Sequence, residues 1–346
     1  METTHNYITP LPDQAEMPLR APVVDQFGRT FTYLRIAVNE TCNLRCLYCM
    51  PEDGIGCCHS PKSLTHTQIS HLISSAAELG VTKIRFTGGE PLLHPQIIQI
   101  IKSAAEIPRI ESVHLTTNGV LLKGKIKQLR NAGLGGLNIS LDTLDADRYF
   151  QLTRRKVYSK VMEGIEIALS KQIPIKINTV ILRGFNHDEI GQFVELTKNN
   201  YLTVRFIELM PFDSHQVWKT GKFMSAEHIR ELLFSQYPEL IKVDGTSTEH
   251  EIFQVPGYKG KVAIIPAYSR SLCKNCNRIR VTADGKIRNC LFSRDETEIS
   301  PEMLMGKSSD DLKKLIQGAM WKKPIDGWEA TKMQGENRDS MAQIGG

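Results

Sequence analysis

Short apolar runs alternate with amphipathic segments through most of the chain, from residue 31 to about residue 225. The runs, such as Phe31–Val38, have the length of buried strands. The segments between them carry apolar residues three or four positions apart, as helices do. The segment Thr65–Leu79 also opens with a capping box and is followed by Gly80. The pattern predicts further strands at Val81–Thr87, Ser112–Thr117, Leu137–Leu141, Pro174–Ile181 and Leu202–Leu209, and helices near Pro95–Ile107, Lys123–Ala132, Ser159–Ser170, His187–Lys198, Ala226–Gln236 and Asp310–Met320.

This alternation repeats about six times with short connections, which predicts parallel strands covered by helices. We therefore expect an α/β fold, an incomplete (βα)6 TIM-type barrel with its chemistry at the carboxyl ends of the strands. Beyond the barrel, the turn Ala283–Gly285 predicts a hairpin. The predicted units are an irregular N-terminal tail at 1–30, the barrel at 31–225, a C-terminal region at 226–325 and a flexible polar tail with little to bury at 326–346.

Composition excludes several classes of protein. The net charge of +5 over 346 residues is too mild to indicate a nucleic-acid partner by itself. No apolar run approaches the roughly 20 residues of a membrane span, and residues 1–30 lack the apolar centre of a signal peptide. Eight cysteines in so long a chain indicate metal binding in a reducing compartment. We therefore predict a cytoplasmic protein without a membrane or nucleic-acid partner.

The first cysteine group, Cys42, Cys46 and Cys49, has the spacing C-x3-C-x2-C and follows the first predicted strand. Three thiolates this close can hold one corner of an iron–sulfur cube. A [4Fe–4S] cube bound by three residues keeps one iron open for a small molecule. The alternative is a zinc site with a fourth ligand, which Cys57, Cys58 or His59 would have to supply.

The second group, Cys273, Cys276 and Cys290, again has three members, and the predicted hairpin brings Cys290 back toward the other two. This arrangement favours a second cube, with a zinc site completed by a distant His or Asp as the alternative. Arg278 and Arg280 alternate along a predicted strand and so face one side. Paired guanidinium groups suit phosphate oxygens, which predicts a polyphosphate substrate rather than a solvated basic face.

The first motif, with Tyr48 before its last cysteine, resembles the signature of radical S-adenosylmethionine (SAM) enzymes. The chain from Leu34 onward resembles, more specifically, the GTP 3′,8-cyclase family of molybdenum cofactor biosynthesis. The matching segments are LRIAVNETCNLRCLYCMPEDG, KIRFTGGEPLL, LTTNGVLL, LNISLDTLD, RFIELMPF, CKNCNRIRVTADGKIRNCLF and the terminal QIGG.

The resemblance implies a radical SAM barrel with two [4Fe–4S] clusters, each with an open iron: SAM would bind at the first cluster and the guanine base at the second. Tyr48, Gly89, Ser140 and Met210 match SAM contacts. The residues that match GTP contacts are Arg35, Arg85, Thr116, Lys176, Arg278 and Arg280. Arg278 and Arg280 also match catalytic positions, and the terminal Gly345 and Gly346 match a diglycine that reaches the active site.

The implied reaction is the conversion of GTP to (8S)-3′,8-cyclo-7,8-dihydroguanosine 5′-triphosphate, the first step of molybdenum cofactor biosynthesis. The implied partners are an electron donor and a downstream enzyme that takes the product, and a homodimer is a further expectation. Two other functions compete. One is a radical SAM maturase with an auxiliary cluster, which usually has more C-terminal cysteines. The other is a zinc-dependent nucleic-acid-binding protein, which would need four-ligand sites.

Overall fold

One open sheet runs through the part of the chain that the computed structural model describes, which is residues 21–50, 63–210, 220–244, 251–269, 273–306, 309–335, 338 and 340–344. Several predictions therefore lie outside the described residues: most of the N-terminal tail, Cys57, Cys58, His59, Gly345 and Gly346. Within the described ranges, no helix is both long and apolar enough to cross a membrane.

The described strands and helices follow each other in the predicted alternation. The strands are β1 Tyr33–Ala37, β2 Lys83–Thr87, β3 Ser112–Thr117, β4 Gly136–Ser140, β5 Ile175–Ile181, β6 Leu202–Glu208, β7 Ile241–Lys242, β8 Glu251–Gln254, β9 Lys261–Ile265, β10 Arg278–Val281, β11 Lys286–Arg288 and β12 Thr297–Glu298. The helices are α1 His66–Glu78, α2 Ile97–Glu106, α3 Leu122–Asn131, α4 Ala146–Thr153, α5 Tyr158–Ser170, α6 Ile190–Glu195, α7 Ala226–Gln236, α8 Pro301–Leu304, α9 Ser309–Trp321, α10 Gly327–Lys332 and α11 Met341–Ile344.

The six strands β1 to β6 lie side by side in chain order and are all parallel, which confirms the predicted incomplete barrel. Two later strands extend the same sheet, since β10 pairs with β1 and β9 pairs with β6, both in parallel. In the described residues β9 and β10 do not pair, so the barrel stays open. The predicted hairpin is present as the antiparallel pair β10 and β11.

The alternation of side chains along each strand separates the core from the site. Leu115 of β3 and Val204 of β6 are buried in the hydrophobic core, whereas their neighbours Thr116 and Arg205 line an interior cavity. Because successive side chains point to opposite faces, one strand can pack against the core and still present polar groups to the interior.

Helix α1 forms as predicted, and its capping box is present. The Gln68 backbone N–H donates to the Thr65 hydroxyl at 3.3 Å, and the Thr65 backbone N–H donates to the Gln68 side chain at 2.9 Å. Helix α4 was not predicted, because it is only eight residues long, half of them polar, and only Tyr149, Leu152 and Thr153 are buried. Asp145 starts α4 by accepting from two backbone N–H groups.

After residue 325, where the sequence predicts a flexible polar tail, the residues that the structure describes include short helices and buried side chains. Asp326 caps the short helix α10, and Ala330, Ala342 and Ile344 are at most 1% exposed. Helix α11 lies against β1. A helix of four residues is too short to show a helical period in the sequence, so its few small apolar residues gave no signal.

Residues 21–30 include no extended strand or helix, but they are packed and fastened by Arg29. Its Nε donates to the Asp25 carboxylate at 2.6 Å. Its Nη1 donates to the carbonyl groups of Cys273 at 3.0 Å and Ile325 at 2.8 Å, and its Nη2 donates to the carbonyl of Pro324 at 2.7 Å. One buried guanidinium thus joins the start of the described chain to the second cysteine group.

We expect Arg29→Met to destabilise the fold by about 3 to 5 kcal/mol, because it removes the guanidinium that neutralises the buried Asp25 carboxylate. Denaturant unfolding measures the change. The matched control is Lys102→Met, which removes an ion pair whose side chains are 66% and 65% exposed and should change stability by less than about 1 kcal/mol. Equal unfolding midpoints for the two variants would contradict the role of Arg29.

Candidate active site

Two adjoining cavities lie at the carboxyl ends of the parallel strands, where barrels of this type place their chemistry. The first, about 1250 Å³ with its mouth included, is lined by Cys42, Cys46 and Cys49. The second, about 1080 Å³, is lined by Cys273, Cys276 and Cys290. Residues that line both are Thr116, Asn178, Ile207, Met210 and Met341. The two cysteine triplets therefore face neighbouring parts of one interior space.

The first triplet lies on a loop that docks on the end of helix α4. The backbone N–H groups of Arg45 and Leu47 donate to the carbonyl groups of Thr153 and Leu152, both at 3.0 Å. These belong to the last turn of α4, whose carbonyl groups have no partner within the helix. Helix α4, which the sequence did not predict, thus fixes the position of the cysteine loop.

Burial dominates the chemistry of the first three thiols. It raises the pKa of Cys42, Cys46 and Cys49, that of Cys49 to about 12. Negative neighbours act in the same direction, with Glu90 near Cys42 and Asp142 near Cys46. A binding metal replaces the protons of such thiols, so these three donors fit the cationic core of an iron–sulfur cluster.

Gly89 is required by a close approach of two loops. Its backbone N–H donates to the Asn39 carbonyl at 3.0 Å, and the next N–H, that of Glu90, donates to the Thr41 carbonyl at 2.8 Å. A Cβ atom at Gly89 would lie 2.3 Å from the Thr41 carbonyl oxygen. The glycine therefore lets the loop after β2 pair with the segment that leads into Cys42. It also lines the first cavity, as do Tyr48, Ser140 and Met210.

Two buried carboxyl groups brace the rim of the first cavity. Asp142 accepts from the Tyr48 hydroxyl at 2.6 Å and from the Val180 backbone N–H at 2.8 Å, and burial raises its pKa to about 6. Glu90 accepts from the Thr117 hydroxyl at 2.8 Å and the Asn118 backbone N–H at 2.7 Å, and burial raises its pKa to about 7. These contacts hold the loops that follow strands β1, β2 and β3.

The second triplet has cationic surroundings instead. Burial raises the pKa of Cys273. For Cys276, burial also acts upward, but the positive charges of Lys323, Arg278 and Arg280 outweigh it and lower the pKa to about 7. Cys276 thus differs from the three thiols of the first triplet, whose pKa values are all raised.

A row of arginines crosses three adjacent strands beside the second triplet. Arg280 on β10 is in register with Arg35 on β1, and Arg35 is in register with Arg85 on β2. Their exposed fractions are 3%, 7% and 6%. The pKa of Arg280 is well below its ordinary value, because the group is buried and because Arg35 and Arg278 repel its charge. A row of guanidinium groups along the cavity suits an anionic ligand with several oxygens.

The structure adds four cavity or near-cavity residues that the sequence did not point out. The ring of Tyr33 lies 5.2 Å from the Arg35 guanidinium, 5.2 Å from the Lys83 ammonium and 5.3 Å from the Arg85 guanidinium, within cation–π range. The other three, Asn178, Arg205 and Lys323, line the second cavity. A signal existed for Arg205, because an arginine inside a buried strand is costly without an anion.

Of the residues predicted to hold GTP, Arg35, Arg85, Thr116, Arg278 and Arg280 line the second cavity. The sixth, Lys176, is not among the lining residues of either cavity. It lies on β5, near enough to His114 that it contributes, after burial, to a pKa of about 3 for that imidazole. The structure therefore brings five of the six together.

Arg338 and the segment 340–344, together called the strap, contact the regions of both cysteine triplets. Arg338 donates to the carboxylates of Asp284 and Glu296, each at 3.1 Å or less. The Ser340 hydroxyl donates to the Cys49 carbonyl at 2.6 Å. The strap thus joins the hairpin of the second triplet to the loop of the first.

Two buried polar atoms at the junction of the cavities fit a bound ligand. Thr116 Oγ1 and Asn178 Oδ1 are inaccessible to water and make no hydrogen bond with any described residue. Across the described ranges, no group of three His, Cys, Asp or Glu residues is arranged to hold a single metal ion. Assigning the triplets to iron–sulfur clusters rests on the motif spacing and on the family.

An open parallel barrel with this cysteine loop at its carboxyl edge defines a radical SAM fold. Residues 36–197 match the Radical SAM superfamily model, and residues 202–327 match the model for Molybdenum Cofactor Synthesis C. Two solved structures share the fold. Native anSMEcpe with bound AdoMet has a TM-score of 0.57 at 14% identity, covering 87% of this chain and 82% of that one. Streptococcus suis SuiB bound to S-adenosylmethionine has a TM-score of 0.56 at 14% identity, covering 82% and 69%.

Relatives with higher sequence identity place the chain in one family of radical SAM proteins. GTP 3′,8-cyclase of Chlorobaculum tepidum is 46% identical over 325 residues, which is 94% of this chain and 97% of the relative. GTP 3′,8-cyclase of Petrotoga mobilis is 39% identical over 94% of this chain and 100% of its own length. Molybdenum cofactor biosynthesis protein 1 of Bos taurus is 41% identical over 88% of this chain, which spans 48% of that protein. The chain belongs to the GTP 3′,8-cyclase family, whose radical SAM character implies a [4Fe–4S] cluster and SAM.

We expect Gly89→Ala to weaken SAM binding about tenfold or more, because the new Cβ pushes the segment before Cys42 away. Iron content and SAM affinity of the anaerobically reconstituted protein measure this effect. The control is Gly124→Ala on helix α3, where a Cβ meets nothing within 4 Å and alanine favours the helix. Unchanged SAM affinity and iron content in Gly89→Ala would show that the loop tolerates the displacement.

Proposed function

We propose that this chain converts GTP into (8S)-3′,8-cyclo-7,8-dihydroguanosine 5′-triphosphate, the first step of molybdenum cofactor biosynthesis. The observation that carries the proposal is the in-register row of Arg280, Arg35 and Arg85 beside the second cysteine triplet. A row of guanidinium groups suits a triphosphate, and the adjoining cavity has the three thiols of a radical SAM site.

In this proposal, Cys42, Cys46 and Cys49 hold the first [4Fe–4S] cluster, which with SAM supplies the one-electron chemistry when bound. Gly89 and Tyr48 shape the wall of the first cavity for SAM. Asp142 positions Tyr48 through the hydrogen bond to its hydroxyl. Ser140 and Met210 complete the SAM site, and Met210 also lines the cavity proposed for GTP.

The second cavity is proposed to hold GTP. Arg35, Arg85 and Arg280 bind the phosphate oxygens, and Thr116 offers an oxygen that has no described protein partner. Cys273, Cys276 and Cys290 hold a second [4Fe–4S] cluster, whose open iron would meet the guanine base. Arg278, two residues from Cys276, lines the same cavity and would bind the nucleotide. Holding the ribose of GTP near SAM is then a matter of position, which is a large part of such catalysis.

Lys176 is proposed to hold GTP together with these residues, in support of which its positive charge acts on His114 within the same barrel. Gly345 and Gly346 are proposed to enter the site, in support of which Met341 of the strap lines both cavities. A cytoplasmic location, an electron donor, a downstream enzyme, a homodimer and the division of the chain at residue 225 remain predictions from the sequence.

The activity is tested by anaerobic incubation of the reconstituted protein with GTP, SAM and a strong reductant. We expect 5′-deoxyadenosine to form while GTP is consumed and a cyclised triphosphate appears. Chromatography and mass spectrometry measure these compounds. A chain without Gly345 and Gly346 should keep its iron but lose the cyclised product. Formation of 5′-deoxyadenosine with GTP recovered unchanged under all conditions would contradict GTP as the substrate.

We expect Arg278→Ala to weaken GTP binding about tenfold or more while SAM affinity changes by less than about twofold, because Arg278 lines only the second cavity. Equilibrium binding of each ligand to the reconstituted protein gives both values. Arg130→Ala, on an exposed position of helix α3, is the matched control and should alter neither. Equal losses for GTP and SAM would remove the assignment of Arg278 to the nucleotide.

A further inference from the structure

Lys323 is a buried lysine whose contacts do not neutralise its charge. Its exposed fraction is 2%, and it follows the end of helix α9. Its ammonium donates to the backbone carbonyl of Asn289 and lies 5.7 Å from the centre of the Phe31 ring. Within the described part of the chain, no carboxylate pairs with it. Burying an ammonium group in this way is costly unless an anion lies nearby.

The anion expected at this place is the second iron–sulfur cluster. The carbonyl that Lys323 binds belongs to Asn289, the residue directly before Cys290. Lys323 lines the same cavity as all three cysteines of the second triplet. The ammonium group is therefore directed at the ligands rather than at solvent.

We propose that Lys323 is the counter-charge of the second cluster and sets its reduction potential. This inference rests on the proposed function, because it requires a cluster on Cys273, Cys276 and Cys290. Three thiolates make a bound [4Fe–4S] cluster anionic, and each added electron increases its negative charge. A fixed positive charge in a poorly solvated site stabilises the reduced form more than the oxidised form. Lys323 is thus a positioning residue that makes the second cluster easier to reduce.

The neighbouring alternative is that Lys323 binds the nucleotide, since it shares the cavity with the arginine row. The hydrogen bond to the Asn289 carbonyl favours the cluster, because it fixes the ammonium against the strand end that carries Cys290. The two roles differ in what they change. A counter-charge alters the potential of the cluster in the absence of GTP, whereas a nucleotide ligand alters GTP affinity alone.

The test uses the full chain with Cys42, Cys46 and Cys49 replaced by serine, so that only the second cluster is observed. After anaerobic reconstitution, about four irons per chain are expected. Titration with dithionite, followed by electron paramagnetic resonance, gives the midpoint potential. We expect Lys323→Met to make one-electron reduction about tenfold less favourable, a shift of about 59 mV to lower potential. GTP affinity is measured on the same samples.

Two further variants separate charge from shape. Lys323→Arg keeps the charge and should keep the parent potential. Lys332→Met removes an ammonium that is 71% exposed, on the nearby helix α10, and should change nothing. If Lys323→Met loses its iron, the result for Lys323→Arg decides. Parent iron content and parent potential in Lys323→Arg support the counter-charge. Loss of iron in both variants overturns it.

Three other results overturn the inference. An unchanged potential in Lys323→Met with iron fully present does so while leaving the second cluster and the proposed function intact. Weaker GTP binding at unchanged potential assigns Lys323 to the nucleotide instead. A parent chain that binds no iron at Cys273, Cys276 and Cys290 removes the second cluster itself, and the inference falls with that part of the proposed function.

Discussion

The organising constraint of this molecule is the repulsion among guanidinium groups held in register across β10, β1 and β2. Arg280, Arg35 and Arg85 are nearly inaccessible to water, so solvent screens them poorly. The sheet holds the three guanidinium groups on neighbouring strands, because the strand register fixes the positions of their residues. Such a row of guanidinium groups suits a polyanion in the interior. The ring of Tyr33 contacts the Arg35 and Arg85 guanidinium groups and the Lys83 ammonium.

That row exists only because the C-terminal part of the chain adds β10 to the sheet beside β1. Arg280 comes from β10, which arrives long after the six consecutive parallel strands and then pairs with the first of them. The same hairpin brings Cys290 toward Cys273 and Cys276. The region matched by the Molybdenum Cofactor Synthesis C model therefore supplies one wall of the site rather than a separate unit beside it.

The two cysteine triplets show how one ligand set can be given different properties. Around the first, the nearby charges of Glu90 and Asp142 are negative and add to the effect of burial on the thiols. At Cys276 of the second, Lys323 and two arginines are positive and oppose the effect of burial. The surroundings of the cysteines, rather than the cysteines, distinguish the two sites, as is usual where a protein tunes a metal centre.

The sequence was sufficient for most of the fold and for the residues whose chemistry is local. The capping box of α1, the Asp-Gly hairpin and the alternating strands are each decided by neighbours in the chain. The sequence did not predict helix α4 or the strap, because their stability comes from partners far away in sequence. One such partner is the cysteine loop, which contacts the last turn of α4. Lys323 and Tyr33 were missed for the same reason, since only tertiary packing makes a lysine after a helix or a strand tyrosine part of a site.

The strap also imposes a temporal order on assembly. Ribosomal synthesis proceeds from the N-terminus, so the loop with Cys49 emerges 291 residues before Ser340, whose hydroxyl caps its carbonyl. Until then the mouth between the two triplets lacks Met341 and Ala342, which later form part of its wall. A nascent or partly folded chain therefore offers wide access to both sets of thiols, and the finished protein offers much less.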